Sequence, residues 1–212
     1  MNWKLEPQKV LTASPIVPVM VIEDIEDALP MAKALSDGGI NVFEVTLRTD
    51  CALEVIKIIS KELPNSLVGA GTVVNCEQYD QAVAAGAEFV LSPGFSLDLL
   101  QHAKSSPVPF IPGVATPSEV MTAMSYGYNC LKFFPAEANG GVNTLKAISA
   151  PLPNILFCPT GGINATNAKS YLALDCVATV GGTWMLDKNA IKDKNWSLIT
   201  DLTRNAIKGL TS

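Results

Sequence analysis

Histidine is nearly missing from this 212-residue chain, with His102 the only one. A zinc site of several imidazoles, or a His-based catalytic triad, would have to be built around that single ring, so both are set aside. Cysteine is present but unorganised. Cys51, Cys76, Cys130, Cys158 and Cys176 are odd in number, scattered, and form no C-x-x-C pair. They read as reduced, mostly buried thiols of a cytoplasmic protein, not as a disulfide or metal framework. Charged residues are few, 17%, with a net charge of −5 and no stretch that concentrates Lys and Arg. Nucleic acid is therefore not an expected partner, because phosphate contacts need a clustered basic surface. An anionic small molecule needs only one or two local cations and stays compatible. No apolar run approaches the roughly 20 residues that span a bilayer. The first residues, Met1-Asn2-Trp3-Lys4-Leu5-Glu6-Pro7, hold no apolar signal segment, so a cytoplasmic protein without membrane association is expected.

What the chain does have is hydrophobic residues, 48% of the total, enough to exclude disorder and to fill a core. They come in short runs rich in Val, Ile and Phe at 16–22, 42–47, 67–72, 89–91, 108–114, 130–134, 155–158 and 177–180. Flanking Gly and Pro mark these as strands. Helical patterns fill the gaps at 25–35, 52–59, 77–85, 97–103, 117–125, 142–148, 165–172 and 197–208, whereas 187–196 reads as a loop. Gly38-Gly39, Gly86 and Gly127 follow the last apolar position of their helices, as left-handed caps do. Asn75 and the run Thr116-Pro117-Ser118-Glu119 carry N-cap signals. Alternating strands and helices imply parallel pairing through right-handed crossovers. Eight such units predict a (β/α)8 TIM barrel, here with a short N-terminal helical segment and as one domain over residues 1–212. The rival, a doubly wound open sheet, carries a glycine fingerprint in its first strand–helix turn, and Val21-Ile22-Glu23-Asp24 has no glycine.

Parallel strands buried on both faces are nearly continuous hydrophobe, and two runs break that rule. In Asn41-Val42-Phe43-Glu44-Val45-Thr46-Leu47-Arg48, the period of two puts Glu44, Thr46 and Arg48 on one face, directed into the barrel, with Arg48 at its C-terminal mouth. A structural Glu44–Arg48 pair closing the strand accounts for the same residues, since buried charge costs several kcal/mol per ion unless paired. The second break is Lys132 in Cys130-Leu131-Lys132-Phe133-Phe134-Pro135. A snorkelling lysine needs a nearby surface, which a central strand does not offer. Desolvation and a neighbouring cation such as Arg48 both favour a free amine, and free amines form Schiff bases with carbonyl substrates.

Other signals are weaker. Thr72 ends Val68-Gly69-Ala70-Gly71-Thr72, where its hydroxyl suits an anion or a helix cap, and the glycines admit another group close to the backbone. Pro159-Thr160-Gly161-Gly162 and Val180-Gly181-Gly182-Thr183 follow the seventh and eighth strands, the places where phosphate sites of such barrels frequently lie. Glycine N–H groups converge on phosphate oxygens without Cβ obstruction, although a Gly-Gly pair also serves as a plain turn. Ser92-Pro93-Gly94 and Ile111-Pro112-Gly113 read as rigid turns.

Together, Glu44-Val45-Thr46-Leu47-Arg48-Thr49, Gly69-Ala70-Gly71-Thr72-Val73, Ser92-Pro93-Gly94, Lys132-Phe133-Phe134-Pro135-Ala136-Glu137-Ala138-Asn139-Gly140-Gly141 and Cys158-Pro159-Thr160-Gly161-Gly162-Ile163 resemble the 2-keto-3-deoxy-6-phosphogluconate (KDPG) and 4-hydroxy-2-oxoglutarate (KHG) aldolase family. The likeness runs over nearly the whole chain. It implies a class I, Schiff-base aldolase of the Entner–Doudoroff pathway that releases pyruvate and glyceraldehyde 3-phosphate, with no metal or other cofactor. It implies that Lys132 forms the imine and that Glu44 shuttles protons. Arg48 and Thr72 would hold the substrate carboxylate, Thr160, Gly161, Gly162 and Thr183 the phosphate, and Pro93 and Phe134 would line the pocket. The family tends to have serine at the position of Thr183. The resemblance also implies a homotrimer. The galactonate-specific relative departs from the Glu-Val-Thr-Leu-Arg motif kept here, which favours the gluconate epimer. Two rival functions remain, a catalytically silent phospho-sugar-binding barrel and a lysine-independent isomerase or synthase.

Overall fold

Residues 1–211 are described by a computed structural model. After a short helix α1 (Pro7–Leu11) come β1 (Ile16–Met20), a 3-10 turn (Ile25–Asp27) leading into α2 (Ala28–Asp37), β2 (Val42–Thr46) and α3 (Ala52–Glu62). Next are β3 (Leu67–Gly71), α4 (Cys76–Ala84), β4 (Phe89–Leu91), α5 (Leu97–Ser105), β5 (Phe110–Ile111), β6 (Gly113–Val114) and α6 (Pro117–Ser125). The chain continues with β7 (Cys130–Phe133), α7 (Gly141–Ser149), β8 (Leu156–Pro159), α8 (Ala168–Leu172), β9 (Val180–Gly182), α9 (Lys188–Lys192) and α10 (Trp196–Thr211).

Local chemistry sets these boundaries. The Asn75 side chain accepts from the Gln78 N–H at 2.8 Å and starts α4. Thr116 and Glu119 form a reciprocal capping box at α6, with Pro117 in the first turn, where its missing N–H is no loss. Gly39, Gly86 and Gly127 turn the chain out of α2, α4 and α6 at φ of +103°, +99° and +92°. Pro30 is the third residue of α2, early enough that no intrahelical donor is missed.

Every strand pairing is parallel. One hydrogen-bonded sheet runs β5-β4-β3-β2-β1-β9, and a second runs β6-β7-β8. The sheet curls, so that β1 pairs with β2 on one side and with the last strand, β9, on the other. Isolated bridges Phe157–Val177 and Thr160–Gly181 connect β8 to the β9 segment. An α/β fold with a curled parallel sheet is thus in place.

Three local expectations shift. The run 108–114 is not one strand but two, β5 pairing with β4 and β6 with β7, because Pro112 between them has no N–H for the ladder. The run 177–180 meets its strand only at its last residue: β9 begins at Val180, and Gly181 and Gly182, expected in a turn after the run, belong to β9 opposite Val17 and Pro18. Their bare Cα atoms make room for Thr160 and for the Trp184 ring, which a Cβ would meet at 2.2 Å and 2.0 Å. The stretch 187–196 contains α9, started by Asp187, whose carboxylate accepts from the Ala190 N–H at 2.8 Å.

The core is apolar on both faces of the strands. Its polar exceptions include Glu44, Thr46, Lys132, Ser92, Thr160 and Thr179. Several of these lie at or near the carboxyl ends of parallel strands, the side on which α/β folds place their ligands.

Candidate active site

β2 and β7 carry the two charged side chains of the interior. The Lys132 ammonium donates to Glu44 Oε1 at 2.9 Å, and the two residues are 5% and 0% exposed. The pair is held from three directions. β7 fixes Lys132 opposite Gly113 of β6 and Cys158 of β8. The Phe134 ring, on the same face two residues on, has its centroid 5.4 Å from Lys132 Nζ. Gly71, the last residue of β3, gives Glu44 its space: a Cβ there would lie 2.1 Å from Oε1 and 2.6 Å from Cγ. The close approach to a glycine backbone expected from the sequence is therefore made by the carboxylate itself. Glu44 Oε2 is buried with no hydrogen-bond partner among the described residues, leaving a carboxylate oxygen free to take a proton.

This geometry removes the structural Glu44–Arg48 pair. The carboxylate pairs with Lys132, 88 residues away, and not with Arg48. Arg48 lies two residues beyond β2, is exposed, and makes no ion pair among the described residues. Thr46 is committed elsewhere, its hydroxyl donating to Met20 O at 2.9 Å and lacing β2 to β1.

Thr72 follows β3 with φ +62°, a left-handed conformation that is costly for a β-branched residue. Such strain, of order 1–3 kcal/mol, tends to collect at functional sites. Pro93 follows β4, and its carbonyl sits so close to Gly113 that a Cβ there would fall 2.3 Å away. Thr160, directly after β8, is 6% exposed; its N–H donates to Phe133 O at 2.9 Å. Gly161 and Gly162 follow at φ +100° and +78°, the left-handed region that frees consecutive N–H groups to converge. Gly161 packs on the Phe134 ring, 3.3 Å from where its Cβ would be, which joins this turn to the lysine. Thr183 is exposed just past β9.

Two features were not read from the sequence. Cys158, directly across from Lys132, is fully buried, and burial pushes its thiol up to about 12 against the lowering effect of Lys132. It stays neutral beside the lysine and places no competing anion there. Glu137 reaches the Tyr171 hydroxyl on α8 across 34 residues. Glu137 belongs to the lysine motif, but no spacing signal announces Tyr171 as its partner.

An amine out of water, hydrogen-bonded to a carboxylate with one oxygen unengaged, is equipped to add to a ketone and pass protons. Beside it lies a turn whose backbone suits an anion. Comparison with known proteins places the chain among aldolases. The family model "KDPG and KHG aldolase" matches residues 8–202. The chain is 50% identical, over 100% of its length and 99% of the relative's, to a 2-dehydro-3-deoxy-phosphogluconate aldolase of Dickeya dadantii (strain 3937). It is 49% identical, over 98% of both chains, to a KHG/KDPG aldolase of Escherichia coli (strain K12). Among solved structures it resembles a KDPG aldolase of Legionella pneumophila holding pyruvate captured at low pH as a covalent carbinolamine intermediate. That likeness has a TM-score of 0.95 and 51% identity, covering 97% of this chain and 100% of the other.

Proposed function

This chain belongs to the KDPG and KHG aldolase family, and from that premise we propose how its own residues divide the reaction. The protein is a class I aldolase, a carbon–carbon lyase that cleaves 2-dehydro-3-deoxy-6-phosphogluconate to pyruvate and D-glyceraldehyde 3-phosphate through a Schiff base. The Lys132 ammonium passes a proton to Glu44, the freed amine adds to the C2 ketone to give a carbinolamine, and Glu44 returns that proton to the C2 hydroxyl, which leaves as water and gives the protonated imine. Glu44 takes the proton of the C4 hydroxyl. The C3–C4 bond then breaks, its electron pair flowing into the imine to leave an enamine, and the aldehyde departs. Glu44 returns a proton to C3, and water hydrolyses the protonated imine to free pyruvate and the Lys132 ammonium. The observation that carries this reading is the buried 2.9 Å Lys132–Glu44 contact, which supports a nucleophile acting at C2 with a proton carrier within reach of the neighbouring C3 and C4 positions.

Arg48 and Thr72 take the substrate carboxylate, Arg48 as a bidentate clamp swung in from the exposed end of β2. Thr160, Gly161, Gly162 and Thr183 take the phosphate, and Pro93 and Phe134 form the wall between. Release of pyruvate from this substrate, read by a coupled lactate dehydrogenase assay, tests the function; a preparation that yields none contradicts it. The same assay with the galactonate epimer and with 4-hydroxy-2-oxoglutarate ranks the substrates, the gluconate epimer being expected first by kcat/KM.

The curled sheet is read as a closed (β/α)8 barrel in one domain. The β8–β9 bridges support closure, as does the consecutive placement of β5 and β6 about Pro112: counted as two halves of one interrupted barrel strand, they bring the nine strands to eight positions. A crystal structure with β8 and β9 splayed apart, or two separate calorimetric transitions, would contradict this. A homotrimer in the cytoplasm, serving the Entner–Doudoroff pathway, completes the proposal. Light scattering at a monomer's mass, cell fractionation into another compartment, or growth on gluconate unaffected by deletion would each remove its part.

A further inference from the structure

The glycine turn is held from outside the reaction centre. Glu137 donates its backbone N–H to Gly161 O at 3.1 Å, and Ala136 donates to Thr160 O at 2.8 Å. The Glu137 side chain then packs on the turn, its Cγ 2.6 Å from where a Gly162 Cβ would stand. Its carboxylate ends at α8, where the buried Tyr171 hydroxyl donates to Oε1. On the other side, the side-chain amides of Asn167 and Asn164 donate to Gly162 O at 3.1 and 3.4 Å. Gly141, opening α7, closes the cluster: a Cβ there would come 3.2 Å from Glu137 Oε1 and 3.3 Å from the Tyr171 hydroxyl.

The imine chemistry uses none of these groups. Glu137 is an exposed carboxylate beside a turn assigned to an anion, which repels that anion unless the charge is directed elsewhere. A hydroxyl fixed in the core gives it a direction. Burial, reinforced by the Glu137 hydrogen bond, raises the Tyr171 pKa and keeps that hydroxyl a donor. We propose that Tyr171 and Glu137 are positioning residues for the substrate's phosphate: their hydroxyl–carboxylate pair fixes the Gly161–Gly162 turn and holds the Glu137 charge away from the bound phosphoryl group. This rests on the assignment of the phosphate to that turn and adds what sets its shape.

Steady-state kinetics of the full-length enzyme on 2-dehydro-3-deoxy-6-phosphogluconate and on its unphosphorylated counterpart test it. Tyr171→Phe should raise KM for the phosphorylated substrate about tenfold, the effect of one lost hydrogen bond to a charged group, with kcat nearly unchanged. The unphosphorylated substrate should show no change. Glu137→Asp, an exposed-site change that keeps the charge but shortens the reach, should reproduce the KM rise even where Tyr171→Phe folds poorly. Glu137→Gln keeps the acceptor without the charge and should stay at or below the parent KM. Equal shifts on both substrates, or none, would overturn the clamp while leaving the parent's preference for phosphate intact. A parent enzyme indifferent to the phosphate would overturn the phosphate assignment itself, and the clamp with it.

Discussion

The reaction centre and the glycine turn sit side by side yet are built by different means. Lys132 and Glu44 rise from the interiors of β7 and β2, 5% and 0% exposed, and meet in one buried hydrogen bond. The Gly161–Gly162 turn lies past the end of β8, half-buried to exposed, and offers backbone in a left-handed conformation. In the proposed mechanism, side chains carry the chemistry where water is excluded, because proton and electron-pair transfers need a specific group at a specific carbon. In the proposed division, backbone carries anion recognition at the rim, where glycine N–H groups converge without Cβ obstruction. Changes in the first region should therefore act on kcat, and changes in the second on KM.

The most severe way to break this division is Lys132→Ala. Loss of the nucleophile should lower kcat on the order of 10⁵-fold, in line with other covalent enzymes. It should also cost about 3–5 kcal/mol of stability, since Glu44 is left buried without its partner. Adding Glu44→Gln should recover much of the stability and none of the activity. Recovery of both, in parallel assays of denaturation and turnover, would reduce the pair to a structural ion bridge. Next comes Gly71→Ala, which drives a methyl into Glu44 while leaving every reacting side chain chemically unchanged. A roughly 10- to 100-fold fall in kcat is expected from the displaced proton shuttle, a partial loss of the roughly 10²–10⁴-fold that general acid–base catalysis supplies. Parental kinetics would mean that the position of Glu44 does not matter.

Gly162→Ala tests the other region. Its φ of +78° strains any Cβ, and that Cβ would strike Glu137. A KM rise of about tenfold for the phosphorylated substrate, with kcat held, is expected from strain of about 1–3 kcal/mol spent on the turn. A kcat defect without a KM change would erase the distinction between the two regions. The smallest effect is on alkaline stability, carried by buried thiols such as Cys158 at the reaction centre and Cys130 earlier on β7, both raised to about 12 by burial. The folded protein keeps these protons to higher pH than the unfolded chain does. Their contribution is complete below about pH 9 and is lost as pH climbs toward 12. Tm should fall over that interval, and more shallowly in a Cys130→Ala, Cys158→Ala double variant; an identical slope in the two proteins would contradict the assignment.

The reaction centre was legible in the sequence for the reason that makes it costly. Glu44 and Lys132 interrupt runs that parallel strands otherwise keep apolar, so each stands out alone. Their partnership was not legible: pattern placed Glu44 near Arg48, two turns of the period away, whereas the curl of the sheet brings Lys132 from 88 residues on. Register explains the other misses. β9 begins where its neighbours β1 and β8 can pair with it, so the glycines at 181 and 182 fall inside the strand. Pro112 divides a run that hydrophobicity alone left whole. The glycine turn was legible by composition, and the Tyr171–Glu137 contact that holds it was not, because nothing in a lone tyrosine on an amphipathic helix names its acceptor.

The central claim, that Lys132 is the nucleophile, is tested most directly by intact mass after incubation with pyruvate and sodium borohydride. One reduced pyruvyl group per chain, mapped to Lys132 and retained in Glu44→Gln, is the predicted result. No adduct under conditions that trap a control aldolase, or an adduct on a different lysine, would contradict it.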